Sequence, residues 1–148
     1  MVDPGRLRSL LDRLGEQLEH LRRLAAIAPE ELLADPDRLA GVKYRFVVAI
    51  ELCIDAAQHI IASEGFRAPS DFADAFAVLG EAGVLPADQV PALQEMARFR
   101  NLLVHGYQRV DDRRVLGILG SRLDDLDAFR AHIARSALEE GGGAGVAD

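Results

Sequence analysis

Apolar residues recur along this chain at intervals of three and four, the spacing that lines up one face of a helix, and strong β-forming runs are missing. Five segments follow from that pattern. The first runs from about Asp3, an N-cap followed by Pro4, to near Ala28, with Leu7, Leu10, Leu11, Leu14, Leu18, Leu21 and Leu24 as its apolar stripe. Pro29 opens a short helical turn, PEELLAD, which Asp35-Pro36 punctuates. A second long helix is predicted from about Asp37 to Glu64, with a broad apolar face from Val42 through Phe46, Ile50, Cys53 and Ala57 to Ile61, and Gly65 as its cap. The third, SDFADAFAVLGEAG, takes Ser70 or Asp71 as N-cap and closes at Gly83. The fourth starts between Pro86 and Pro91 and runs to His105, with Leu93, Met96, Phe99 and Leu103 inside and Gly106 as its stop. A fifth extends from about Asp111 to Ala137, carrying Val115, Ile118, Leu119, Leu123, Leu126, Phe129 and Ile133. Amphipathic helices joined by short turns predict an all-α antiparallel bundle of four to five helices.

The length of 148 residues suits one domain, read as 1–140, and the glycine-rich stretch 141–148 has no periodicity and reads as a disordered tail. No stretch approaches the roughly 20 consecutive apolar residues of a membrane span, and the N-terminus has no apolar run of signal-peptide type. The expected location is the cytoplasm, with no membrane partner. Cys53, the one cysteine, lies in an apolar run and reads as core. The net charge of −7 argues against a protein that coats nucleic acid, since that affinity comes from neutralising phosphates with Lys and Arg. Between Arg98 and Arg114, however, five arginines face two aspartates, the one basic patch worth following.

Within that patch lies RNLLVHGY, residues 100–107. Histidine moves protons near neutral pH, and a guanidinium binds a phosphate through two hydrogen bonds and stabilises its transition-state charge. Together they suit cleavage of an RNA phosphodiester without a metal or other cofactor. At about 100° per residue, Arg98, Asn101 and His105 share one stripe, while Arg100 and His105 are about 140° apart, too far to meet easily on one straight helix. Either the arginine reaches around, or the helix distorts near Gly106, or two subunits cooperate. The same residues would also suit a structural role, with His105 at a helix C-terminus and Arg100 in a surface ion pair. On the second helix Glu51, Asp55 and His59 follow one another at intervals of four, and the acidic pair could orient Arg98 or Arg100. His20, His59, His105 and His132 are widely separated and show no zinc-site spacing, and no phosphate-binding glycine loop is present. Tyr44 with Phe46, and Phe72 with Phe76, read as packing.

The order Arg, four residues, His, one residue, Tyr resembles the signature of the HepT toxins of the HEPN superfamily, and Arg100, His105 and Tyr107 satisfy it without a gap. The likeness extends over about Lys43 to Ala134. It implies a HEPN-like bundle that forms a homodimer, so that two copies of the signature line one cleft and cut an RNA substrate. His105 would then be the acid–base residue and Arg100 the phosphate-binding group, with Asn101 shaping the site; by the residue reading above, Arg98, Glu51 and Asp55 are the supporting or RNA-binding residues. The resemblance also implies the toxin half of a type VII-like toxin–antitoxin pair, whose partner, a minimal nucleotidyltransferase antitoxin of the MNT type, inactivates it by transferring AMP to Tyr107. A non-catalytic adaptor that binds the nucleotidyltransferase, and a plain helical dimerisation module, are the alternatives.

Overall fold

A computed structural model describes residues 2–139 as an all-helical assembly. Its α-helices are α1 (Pro4–Ala25), α2 (Pro29–Leu33), α3 (Pro36–Glu64), α4 (Phe72–Glu81), α5 (Val90–His105), α6 (Asp112–Ser121) and α7 (Leu123–Ile133), followed by a π-helical turn at Ala134–Glu139. The glycine-rich stretch 141–148 lies outside the described residues.

Local chemistry fixes most of the boundaries. The Asp3 carboxylate accepts from the Gly5 and Arg6 amides to open α1, and Asp35 accepts from Arg38 to open α3. Asp71 rather than Ser70 caps α4, accepting from the Asp74 amide at 2.7 Å. Gly65, at φ 69°, supplies the left-handed residue that ends α3, a conformation costly for any side chain with a Cβ. α1 stops at Ala25, short of the end expected near Ala28, because Ala28 must be extended to precede Pro29.

The fifth predicted segment is two helices. Its periodicity runs through the break, but Gly117 and Gly120 weaken the helix, and the Ser121 hydroxyl donates back to the Gly117 carbonyl at 2.6 Å. Arg122 then leaves the helical region at φ −118°, ψ 1°, and its guanidinium is tied to Asp125 at 2.8 Å and to Glu95 of α5.

α1 and α3 run antiparallel: the Asp3 amide donates to His59 Nε2 at one end, and Arg45 donates to Gln17 nearer the other. α7 also runs antiparallel to α1, with Arg130 donating to the Leu11 carbonyl at 2.8 Å and Arg22 bridging Asp124 and Asp127. α3 is the centre of the bundle, burying Val42, Phe46, Ile50, Cys53, Ala57 and Ile60 against its neighbours. Burial there also pushes the Cys53 thiol well above its ordinary pKa, so it stays protonated and inert. By length and hydropathy α3 matches a membrane span, yet its apolar face is occupied by the rest of the protein. Edge-on ring pairs, Phe46 with Phe99 and Phe76 with Phe129, lock α3 to α5 and α4 to α7. Each large side chain buried this fully contributes about 1.5–3 kcal/mol, so α5 is held firmly on its inner face. Tyr44 departs from the packing expected of it: it is 63% exposed on α3.

Candidate active site

Phe99 and Leu103 point α5 into the core, and its polar residues project from the remaining faces. Arg100 is well enclosed, with only 13% of its side chain exposed. Its Nε and Nη2 both donate to Oε1 of Glu51 on α3, at 3.1 and 2.6 Å, and its Nη1 donates to the Asn101 side-chain oxygen at 3.1 Å. The ring of Phe72, the first residue of α4, lies 5.1 Å from the guanidinium carbon and adds a cation–π contact. Three helices thus hold one guanidinium, with its remaining N–H donors unused among the described residues.

His105 is the last residue of α5, where the helix dipole favours a positive charge. The last i→i−4 bond of the helix runs from the Gly106 amide to the Leu102 carbonyl at 2.8 Å; Gly106 itself has left the helical region, and Tyr107–Arg109 form one 3₁₀ turn. Gly106 has an ordinary φ of −120°, so glycine serves here for space: a Cβ would stand 2.9 Å from Leu102 Cδ1 and 3.2 Å from the Leu102 carbonyl oxygen. His105, Gly106, Tyr107, Gln108 and Arg109 line an open cleft of about 360 Å³. His105 is exposed and Tyr107 is 69% exposed; neither side chain has a hydrogen-bond partner among the described residues.

The structure therefore unites some of the residues singled out in the sequence and separates others. Glu51, Arg100 and Asn101 form one cluster. His105 and Tyr107 form another at the helix end, and no bond links Arg100 to His105 among the described residues. Asp55 and Arg98 are exposed and join neither cluster by a hydrogen bond or ion pair among those residues. His59 is drawn away to α1 through Asp3. Two contributors escaped the sequence reading. Phe72 was grouped with packing residues, and nothing in its local sequence marks it as a platform for Arg100. Arg109 was noticed only as part of a basic stretch.

Comparison with known proteins places the chain. The family model described as ribonuclease HepT-like matches residues 14–133, reaching back into α1 beyond the likeness read from the sequence. A protein of Archaeoglobus fulgidus, provisionally named as an RNase, is 29% identical over 105 residues, 71% of this chain and 78% of that protein. The mRNA nuclease HepT of Shewanella oneidensis is 29% identical over 79 residues, 53% of this chain and 59% of that one. Among solved structures, the tri-AMPylated HEPN toxin of Shewanella oneidensis in complex with an MNT antitoxin superposes with a TM-score of 0.81 at 21% identity, covering 90% of this chain and 98% of that one. The last is a likeness of fold along nearly the whole chain.

Proposed function

Since the chain belongs to the ribonuclease HepT-like family, we propose that it is the toxin of a toxin–antitoxin pair, an endoribonuclease that acts as a homodimer in the cytoplasm without a metal. The observation that carries this reading is the division of the signature on α5. Arg100 is fixed in a socket on one side, while His105 and Tyr107 stand unengaged at the helix end, among the described residues. One copy holds the parts of a nuclease site without joining them, and a second copy related by a twofold axis would bring its Arg100 to the first copy's His105.

The surface beside the motif suits such pairing. Tyr44, Val48 and Glu51 follow each other along α3 at helical spacing, and Tyr44 and Val104 are among the exposed large apolar side chains. A twofold contact over this face would bury apolar surface and shield the Arg100–Glu51 pair from water. In the cleavage step the RNA 2′-hydroxyl oxygen attacks the adjacent phosphorus as His105 removes its proton. The bond from phosphorus to the 5′-oxygen breaks, and a protonated imidazole supplies the proton to that oxygen. The products are a 2′,3′-cyclic phosphate and a 5′-hydroxyl end. Arg100 stabilises the charge gathering on the nonbridging oxygens.

Tyr107 has the exposure a modification site requires. In inactivation by a nucleotidyltransferase antitoxin, its hydroxyl attacks the α-phosphorus of ATP, AMP is transferred and pyrophosphate leaves. The nucleotide would then fill the cleft that RNA needs.

Expression of wild type, His105→Ala and Tyr107→Phe in a bacterial host, with cleavage assayed on purified protein and AMP transfer assayed with an added minimal nucleotidyltransferase antitoxin and ATP, tests the whole reading. The expected result is toxicity and cleavage from wild type and Tyr107→Phe, none from His105→Ala, and addition of AMP to wild type but not to Tyr107→Phe. A wild type that is harmless and inert yet accepts AMP would replace the nuclease with the adaptor reading.

A further inference from the structure

We propose that Arg109 forms a phosphodiester-binding subsite next to His105, engaging an RNA phosphate that flanks the one being cleaved. The inference rests on the ribonuclease reading above and adds a ligand contact to it.

The five arginines between residues 98 and 114 are not equivalent in the fold. Arg100 is held by Glu51, and Arg113 donates to Glu30 at 3.1 Å. The side chains of Arg98, Arg109 and Arg114 are exposed and make no hydrogen bond or ion pair among the described residues. Of these three, Arg109 alone lines the cleft that contains His105 and Tyr107. Its place is set by the backbone: the Arg109 amide donates to the Gly106 carbonyl at 2.8 Å, closing the 3₁₀ turn. Its side chain then folds back over Gly106, where a Cβ on that glycine would stand 3.4 Å from Nη2. That is ordinary packing distance, and it places the guanidinium against Gly106, inside the cleft.

The charge balance points the same way. Arg100 is offset by Glu51, so the cation of that pair is already matched within its own subunit. The carboxylates closest to Arg109 in sequence are committed elsewhere, Asp111 to the Arg113 amide at 3.0 Å and Asp112 to Lys43 at 2.7 Å. Arg109, which has no ion-pair partner among the described residues, therefore brings an unpaired guanidinium into the cleft of a chain whose net charge is −7. A guanidinium with free N–H groups matches the two nonbridging oxygens of a phosphodiester. Because Arg100 and His105 serve the scissile phosphate in the proposed site, the phosphate left for Arg109 is a neighbouring one.

Binding is measured in the non-cleaving His105→Ala protein by fluorescence anisotropy of a labelled single-stranded RNA oligonucleotide over a range of salt concentrations. Adding Arg109→Ala is expected to weaken binding about tenfold at low salt, the scale of a lost charged hydrogen bond. It should also reduce the slope of log affinity against log salt by about 0.7, one phosphate contact on a single strand. Arg109→Lys should restore the slope and part of the affinity, which a merely structural role would not do. In the active protein Arg109→Ala should raise KM more than it lowers kcat. Unchanged affinity and slope in Arg109→Ala, with the parent binding normally, would overturn this inference and leave the ribonuclease reading intact. No RNA binding by the parent, together with no cleavage by wild type, would overturn both.

Discussion

Arg67 and the arginines of the motif show two ways of holding a cation on one small protein. Arg67, in the connection between α3 and α4, spends four hydrogen bonds on two carboxylates: Nη1 and Nη2 to Asp74 at 2.7 and 2.9 Å, Nε and Nη2 to Glu81 at 2.9 Å each. Asp74 also accepts from the Ser70 amide and hydroxyl. This cluster is complete in itself and fastens the loop to the helix it precedes. At the end of α5 the opposite holds: His105, Tyr107 and Arg109 share a cleft and have no bonds to other side chains among the described residues. Arg100 stands between these extremes, matched by one carboxylate but with donors to spare. Completed arginines are structural fasteners, and incompletely satisfied ones are poised for a ligand that carries the missing charge.

The largest effect that would sharpen this contrast is expected from His105→Ala. Removing a general acid–base group lowers turnover by roughly 10²- to 10⁴-fold. Because the side chain is exposed and unbonded within the described residues, the melting temperature should not change. A large loss of stability in thermal denaturation would show that His105 is structural. Glu51→Ala should be milder, about tenfold in kcat, since Arg100 keeps Asn101 and Phe72 but loses the carboxylate that fixes its plane. Stability should fall by about 1 kcal/mol, because Glu51 is itself half-exposed and water screens the pair. Glu51→Gln, which can still accept, should recover part of the rate. Gly106→Ala comes next: the added Cβ pushes on Leu102 and disturbs the turn that carries Tyr107 and Arg109. Turnover a few-fold lower and a stability loss of about 1 kcal/mol are expected, the lower end of small-to-large strain.

Which of these features could be read from the sequence depended on how local their causes are. The inner faces of α1 and α5 were legible because burial follows the helical period: Leu7, Leu14, Leu21, Leu93, Met96, Phe99 and Leu103 are all buried where the spacing puts them. The α3 cap at Gly65 and the stop at Gly106 were legible because glycine marks them chemically. The break at Ser121 was not, since Leu119 and Leu123 keep the apolar pattern in step on both sides while a hydroxyl-to-carbonyl bond and the Arg122 contacts turn the chain. Arg100 was visible as a candidate, but its socket joins residues 49 positions apart and adds a ring from a third helix. The helical angle between Arg100 and His105 was readable, and the structure keeps them in separate clusters. What the sequence could not show was that Arg109 folds back over Gly106 into the cleft that His105 also lines, because a one-turn 3₁₀ segment has no periodicity to reveal it.

The smallest effect on activity is expected at the completed cluster. Arg67→Ala should leave RNA cleavage unchanged, because that cluster shares no bond with either group of motif residues. Its signature lies in the pH dependence of stability. Hydrogen bonds from Arg67 hold the Asp74 and Glu81 carboxyls below their ordinary values of 3.8 and 4.5, Asp74 the more strongly. A carboxyl whose pKa is depressed by folding adds stability above its unfolded pKa and loses that contribution as the pH falls towards the folded value. The melting temperature of wild type should therefore exceed that of Arg67→Ala by a constant margin from pH 7 to about pH 5, and the margin should narrow below about pH 4 as the carboxyls protonate. Removing Arg67 also leaves Asp74 and Glu81 repelling one another, which adds to the margin at neutral pH and vanishes with it in acid. A margin independent of pH would mean that Arg67 contributes through the packing of its aliphatic stem rather than through its charge. A loss of cleavage in Arg67→Ala would break the comparison itself, since it would tie the completed cluster to the open one.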